Sequence, residues 1–306
     1  MQTRLTWDEI ITNDSTEVHT FNWAKIFSAL NRKSLDQVDA KGNPLVYRVA
    51  IKQSVGDATS QSAINTILST ASNGYVTARA VKAWHRARLK MLSREGISLK
   101  QLSPYRRQLR FPLTVSDSYS VELSQGEWTN TSIAVEAPQD GGVTTAVGSD
   151  DLVDSYTLTL CGPSVAESAA AGETKYSTVG IIDSWLNARR DTTGTANDGT
   201  DEPRINHELN PLYNLMSGSM ASEEVLEIVE DAQKEEPPYS NVASVFTGIV
   251  PQARLYCSQH TADTAVVDCP AGLMSASITD QDPAAGDVAA VVHWDIELID
   301  VFPMKA

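Results

Sequence analysis

The sequence predicts a mainly β chain built as antiparallel β-sandwiches with a few short helices, and three observations carry that expectation. Period-two alternation of apolar and polar residues is its commonest pattern, and Gly, Pro, Asp and Ser clusters separate the alternating runs. Helical spacing occurs in three segments, too few to place a crossover helix after every strand of a parallel sheet. With 306 residues the chain exceeds the length at which one core usually stops growing, so two bodies are expected.

Taken in chain order, Trp23, Ile26, Phe27 and Leu30 form a first helical stripe behind Thr20 or Asn22 as cap. Lys25, Arg32 and Lys33 beside it also allow a membrane-surface helix, although core packing is the commoner meaning of such a stripe. Leu45, Tyr47, Val49 and Ile51 alternate with polar or small residues as a strand with one buried face. Val81, Trp84, Ala87 and Met91 make a second helical stripe that ends near Gly96. Strand patterns follow at Leu109–Val115, Ser120–Leu123, Ser132–Glu136 and Leu152–Cys161, then at Thr178–Ile182. Val225, Ile228, Val229 and Ala232 form a third helical stripe after Ser222, with Glu223 and Glu224 in the first turn where acids favour the macrodipole. Further strands are expected at Ser244–Val250, Ala253–Cys257 and Leu273–Ile278, and most clearly at Val292, Trp294, Ile296 and Leu298. The polar stretches Pro138–Asp151 and Asn187–Pro211 read as exposed loops capping strand ends. Eight short strands closing as two sheets make a jelly roll, and a chain of this length holds two of them. The boundary is placed at the Ala/Gly-rich shift after Gly162, giving 1–165 as one jelly roll with its preceding helix. Residues 166–306 form the other, with a long exposed loop and an acidic helix.

Charge is sorted along the chain. Ten of the 24 Lys and Arg residues lie between Arg79 and Arg110 with Glu95 as the one acid, so this stretch carries +9 within a net charge of −15. On the second helix Arg79, Lys82, Arg86 and Lys90 share one face, followed by Arg94, Arg106, Arg107 and Arg110. The plain reading is a solvated helix face. The functional reading is a contact for a neighbouring subunit, with lipid or the packaged genome as other anionic partners, and the seven acids of Glu223–Glu236 offer a complementary surface. Tyr75, Trp84 and Tyr105 are too few among these cations for stacking on single-stranded bases. The chain shows no apolar run of membrane-spanning length and no basic leader before an apolar run. Cys161, Cys257 and Cys269, an odd count, are expected as reduced thiols.

Chemical signatures are weak. Gly162-Pro163-Ser164 after a strand resembles the nucleophile elbow of an α/β-hydrolase, but Ala166 stands where that motif has glycine and the alternation of strand and helix is missing. Cys257, His260 and Cys269 offer three zinc ligands where a structural site wants four, and the two cysteines read better as buried small hydrophobes. The acid pairs Asp150/Asp151, Glu223/Glu224 and Asp295/Glu297 read as solvated carboxylates. No catalytic residue, metal ligand or cofactor is therefore predicted.

The phrases RQLRFPLTVSDSYSVELS, VFTGIVPQARLYC, CPAGLMSASI and VVHWDIELIDVFPMKA carry a resemblance. In them the chain is similar to the double jelly-roll major capsid proteins of tailless icosahedral viruses, in particular the lipid-containing bacteriophages of aquatic hosts. That resemblance implies a structural, non-enzymatic protein forming pseudo-hexagonal homotrimeric capsomers of an icosahedral shell. Its partners would be sister subunits, other capsid proteins such as vertex proteins, and an internal membrane or the packaged genome. It would be assembled in the host cytoplasm and located in the virion. The alternatives are a β-sandwich that binds carbohydrate or a surface, and a serine hydrolase using Ser164.

Overall fold

A computed structural model describes residues 1–11, 16–56, 63–94, 96–103, 107–114, 128–136, 153–163, 165–167, 175–190, 248–258, 260–281 and 290–304. They form twelve strands: β1 Arg4–Ile11, β2 Thr16–Asn22, β3 Leu45–Gly56, β4 Ala63–Ala71, β5 Ser132–Glu136, β6 Val153–Thr159, β7 Val165–Glu167, β8 Lys175–Gly180, β9 Ile249–Ser258, β10 Asp263–Pro270, β11 Leu273–Asp280 and β12 Ala290–Pro303. Three α-helices accompany them, α1 Trp23–Asn31, α2 Tyr75–Arg94 and α3 Ile181–Arg190, with a single 3-10 turn at Leu99–Gln101. The chain is mainly β, and most pairings are antiparallel.

By its internal contacts the chain divides into two units, both discontinuous in sequence. The first comprises 1–79, 112–129 and 248–306, and the second comprises 80–111 and 130–247. The expected division at 165/166 differs from this one, because β1–β4 share their sheets with β9–β12. A cut there would separate hydrogen-bonded neighbours such as β3 and β12, which pair from Leu45–Pro303 to Gly56–Val291.

The first unit holds two four-stranded antiparallel sheets, in the orders β1-β12-β3-β10 and β2-β11-β4-β9. Successive strands β1 to β2, β3 to β4, β9 to β10 and β11 to β12 alternate between the sheets, which is the strand order of a single jelly roll. Its inner faces follow from period-two alternation. Val49 and Ile51 of β3, Trp294 and Ile296 of β12, Leu68 of β4 and Ile278 of β11 are all buried in one shared core. Aromatic rings thicken that core at the β1/β2 side, where Trp7 stacks on Trp294 at 5.4 Å and Phe21 stacks on Trp23 at 5.1 Å. The helix α1 begins as expected, with the Asn22 side chain accepting from Lys25 N (3.0 Å). Its Trp23, Ile26 and Phe27 are buried against the core, which favours packing over the membrane-surface reading. No helix among the described residues is long and apolar enough to cross a membrane.

One inward position is out of place. Gln53 of β3 is fully buried between core residues, and neither atom of its amide has a hydrogen-bond partner among the described residues. A buried amide without partners costs about 1–3 kcal/mol. Gln53→Met, of similar length, is therefore expected to raise stability by about 1–2 kcal/mol, read as a shift in the urea midpoint at unchanged slope.

Among its described residues the second unit carries one sheet in the order β5-β6-β8-β7, in which β6 and β8 run parallel. Val81, Trp84 and Ala87 of α2 are buried, and Trp84 meets Tyr156 of β6 edge-on at 6.3 Å. The stretch read as a strand over Leu109–Val115 is irregular through 114, although Leu109, Phe111 and Leu113 are all buried. Pro112 cannot donate to a ladder, and Arg110 instead exchanges bonds with Thr131: Arg110 N to Thr131 Oγ1 at 3.0 Å and Thr131 N to Arg110 O at 2.7 Å. The expected strand over Thr178–Ile182 gives way at Ile181 to α3, which buries Ile181, Ile182 and Leu186. The predicted strand at 120–123, the acidic helix after Ser222, the loop Pro138–Asp151 and most of the loop Asn187–Pro211 lie outside the described residues.

Candidate functional site

The basic helix face predicted from spacing is present on α2. Arg79 and Arg86 are exposed, Lys82 and Lys90 are half-buried, and Val81, Trp84 and Ala87 point the other way into the interior. Arg79 lies over the Tyr75 ring at 5.0 Å. Arg107 is exposed, and its Nε donates to Leu102 O at 3.3 Å. Arg110 departs from the expectation: it is 2 % exposed, so it belongs to the interior and leaves the surface patch. The side chain of Arg94 and the whole of Arg106 lie outside the described residues. Sequence reasoning missed Arg88, which is buried, donates from Nη1 to Arg107 O at 2.8 Å, and has its pKa lowered by burial. The signal was available, since Arg88 stands four residues beyond Trp84 and seven beyond Val81, on the apolar side of the helix.

The two outer walls of the sandwich differ in chemistry. On the β1-β12-β3-β10 sheet, alternation turns Arg4, Asp8, His293, Asp295, Arg48 and Asp268 outward. They pair across strands: Arg4 Nε donates to Asp295 Oδ1 at 2.7 Å, Arg48 Nε to Asp268 Oδ1 at 2.7 Å, and His293 meets Asp8. The Arg4 guanidinium, by its hydrogen bond and its charge, holds the Asp295 carboxyl below its ordinary pKa. On the opposite sheet, cross-strand rows run Thr16–Thr279–Asn65–Tyr256 and Val18–Ser277–Ile67–Arg254. Arg254, bonded to Asn65, is the single charge in these two rows. Val18 (57 %), Ile67 (37 %) and Tyr256 (53 %) remain exposed there. Exposed apolar side chains occur on both walls, Ile10 and Val266 on the first, so charge separates them: one is laced with ion pairs and the other carries hydroxyls and apolar side chains with little charge.

A third feature lies between the sheets at their β1/β2 edge. Glu9 on β1 and Glu17 and His19 on β2 occupy inward positions, where alternation elsewhere places apolar residues. His19 Nε2 lies 2.6 Å from Glu9 Oε1 and 3.4 Å from Glu17 Oε2, and the Trp294 indole donates to Glu9 Oε2 at 3.2 Å. Burial pulls the His19 pKa down, but hydrogen bonding and charge from Glu9 and Glu17 outweigh it, so the net shift is upward. Inward charges on edge strands discourage a further strand from adding there.

The remaining candidates do not converge. Cys257 on β9 and Cys269 on β10 are buried in facing sheets, while His260 is exposed in the turn between them. Burial raises both thiols, Cys257 to about 12, which keeps them protonated and poor as nucleophiles or ligands. Ser164 of the hydrolase-like turn, Asp150/Asp151 and Glu223/Glu224 lie outside the described residues. Asp295 and Glu297 of β12 point to the outer wall, where Asp295 is engaged by Arg4.

The fold and these surfaces define an antiparallel β-sandwich with two chemically distinct walls and a second unit inserted between β4 and β9. No family model, curated protein or solved structure matches the chain.

Proposed function

We propose that this chain is a structural protein that assembles with copies of itself into a shell, in the manner of a viral major capsid protein. The observation that carries the reading is the eight-strand order β1-β12-β3-β10 over β2-β11-β4-β9, an arrangement that viral capsid subunits use among other proteins. The unlike walls support it. Closed rings and shells need a subunit whose two contacting faces differ, since a self-complementary patch stops at a dimer. An ion-paired wall, a nearly uncharged wall and a basic helix face on α2 supply such differences.

In the finer form of this proposal the second unit is itself a jelly roll, and three chains make a pseudo-hexagonal capsomer. That form requires a second pair of sheets around the β5-β6-β8-β7 sheet, whose parallel β6–β8 pair would be an addition to the usual antiparallel pattern. Partners in this reading are sister subunits, vertex proteins, and an internal membrane or the genome met through the basic face. The site of action is the virion.

The electrostatic part is tested by sedimentation at low and high ionic strength. Assembly is expected to weaken as salt screens the α2 cations, and Arg86→Glu to weaken it about tenfold at low salt, about 1.4 kcal/mol. Equal assembly at both salts, with Arg86→Glu behaving as the unaltered chain, would remove the α2 face from the contact.

A further inference from the structure

We infer that Glu9, Glu17 and His19 form a binding site for a divalent transition-metal ion of the zinc class, closing the open edge of the sandwich between β1 and β2. The inference is independent of the shell reading. It starts from an anomaly: three ionisable side chains stand at inward positions of two edge strands, 14 % (Glu9), 29 % (Glu17) and 17 % (His19) exposed. Two carboxylates there flank the imidazole at the margin of an apolar core. A divalent ion with a neutral imidazole balances both carboxylates.

Geometry supports the assignment. One ligand atom from each residue, an imidazole nitrogen and two carboxylate oxygens, lies within 4.8 Å of the other two. Bonds of about 2.0–2.2 Å around a tetrahedral ion put neighbouring donors about 3.4 Å apart. His19 Nε2 and Glu17 Oε2 are already 3.4 Å apart, while Glu9 Oε1, at 2.6 Å from Nε2, has only to withdraw by part of an ångström. A second observation concerns the histidine itself. Its Nε2 is sealed from solvent and faces both carboxylates. With the imidazole neutral, the Nε2 lone pair is the third donor beside the two carboxylate oxygens.

The surroundings fit as well. Trp294 Nε1 donates to Glu9 Oε2 at 3.2 Å, leaving Oε1 for the ion and fixing the carboxylate, as outer partners of metal ligands commonly do. One imidazole with two carboxylates favours zinc or a neighbouring first-row ion over calcium or magnesium, which prefer oxygen alone. Three protein ligands leave a fourth position for water.

The test uses the full chain, stripped with chelator and titrated with Zn2+ by calorimetry, with the melting temperature followed in parallel. Expected are one ion per chain, a raised melting temperature, no comparable response to Mg2+, and at least tenfold weaker binding in Glu17→Gln and in His19→Ala. His293→Ala, which removes the exposed histidine beside Asp8, should bind as the unaltered chain does. Absence of binding would overturn the proposal. So would Zn2+ binding that survives Glu17→Gln and His19→Ala undiminished, or that is lost with His293→Ala. Should His19→Ala fail to fold, Glu17→Gln alone decides, because it keeps the side chain's size and removes the charged oxygen donor.

Discussion

Trp294→Ala is expected to cost the first unit about 3–5 kcal/mol, the range for deleting a fully buried large aromatic side chain. The loss has three parts in this fold. Trp294 is 1 % exposed at the centre of β12, so truncation opens a cavity that flanking strands of two sheets cannot fill by small shifts. The ring stacks on Trp7 at 5.4 Å and tilts against Phe21 at 6.0 Å, so neighbouring aromatic contacts go with it. Its indole N–H is also the donor to Glu9 Oε2, and a carboxylate left without it at an inward position adds a desolvation cost. Trp294→Phe, which keeps a ring but loses that donor, should cost about 1–2 kcal/mol. Denaturant unfolding followed by tryptophan fluorescence measures both. An alanine variant within about 0.5 kcal/mol of the unaltered chain would mean that β12 does not lie at the centre of the core.

Gly180→Ala is expected to be strongly damaging to the second unit, at about 3 kcal/mol, the upper end for overpacking. A Cβ at this position would stand 2.2 Å from the carbonyl oxygen of Gly162 and 3.3 Å from Asp183 Cβ. The nearest atom is backbone, and it belongs to a turn fixed by its own constraints: Gly162 has φ +94, and Leu160 O accepts from Ile182 N at 3.3 Å. Neither side can yield without loosening the junction of β8 and α3. Gly162→Ala is the instructive comparison, because its Cβ meets nothing within 4 Å and only the left-handed backbone resists, at about 1–2 kcal/mol. Amide exchange over α3 reads the difference locally, with Gly180→Ala expected to raise exchange there far more than Gly162→Ala.

What the sequence revealed depended on which side chains fill the inward positions. The runs of β3 and β12 stand out because their inner residues are Tyr47, Val49 and Ile51 in one case and Val292, Trp294 and Ile296 in the other. β1 and β2 escaped because Glu9, Glu17 and His19 occupy inward positions and erase the alternation, so the strands of this unseen edge are also those that hold the polar cluster. In β4 the inner row includes Thr66 and Thr70, and in β10 it includes Ala265 and Cys269, residues whose polarity or size blurs the same signal. The opposite error arose at Leu109–Leu113, where alternation and burial are real but Pro112 interrupts any ladder. The basic face of α2 was legible from three- and four-residue spacing. The burial of Arg110 was not, since the backbone there is tied to Thr131, 21 residues away in sequence. The division into discontinuous units was equally hidden, because nothing local says that β4 and β9 are hydrogen-bonded neighbours across 177 intervening residues (72–248).

We propose that copies of this sandwich cover one another, and the native mass of the purified chain reads that self-association. Discrete oligomers of the 33.1 kDa chain are expected, with the trimer as the principal small species and larger closed particles as concentration rises. A chain that stays monomeric at every concentration and ionic strength would contradict it.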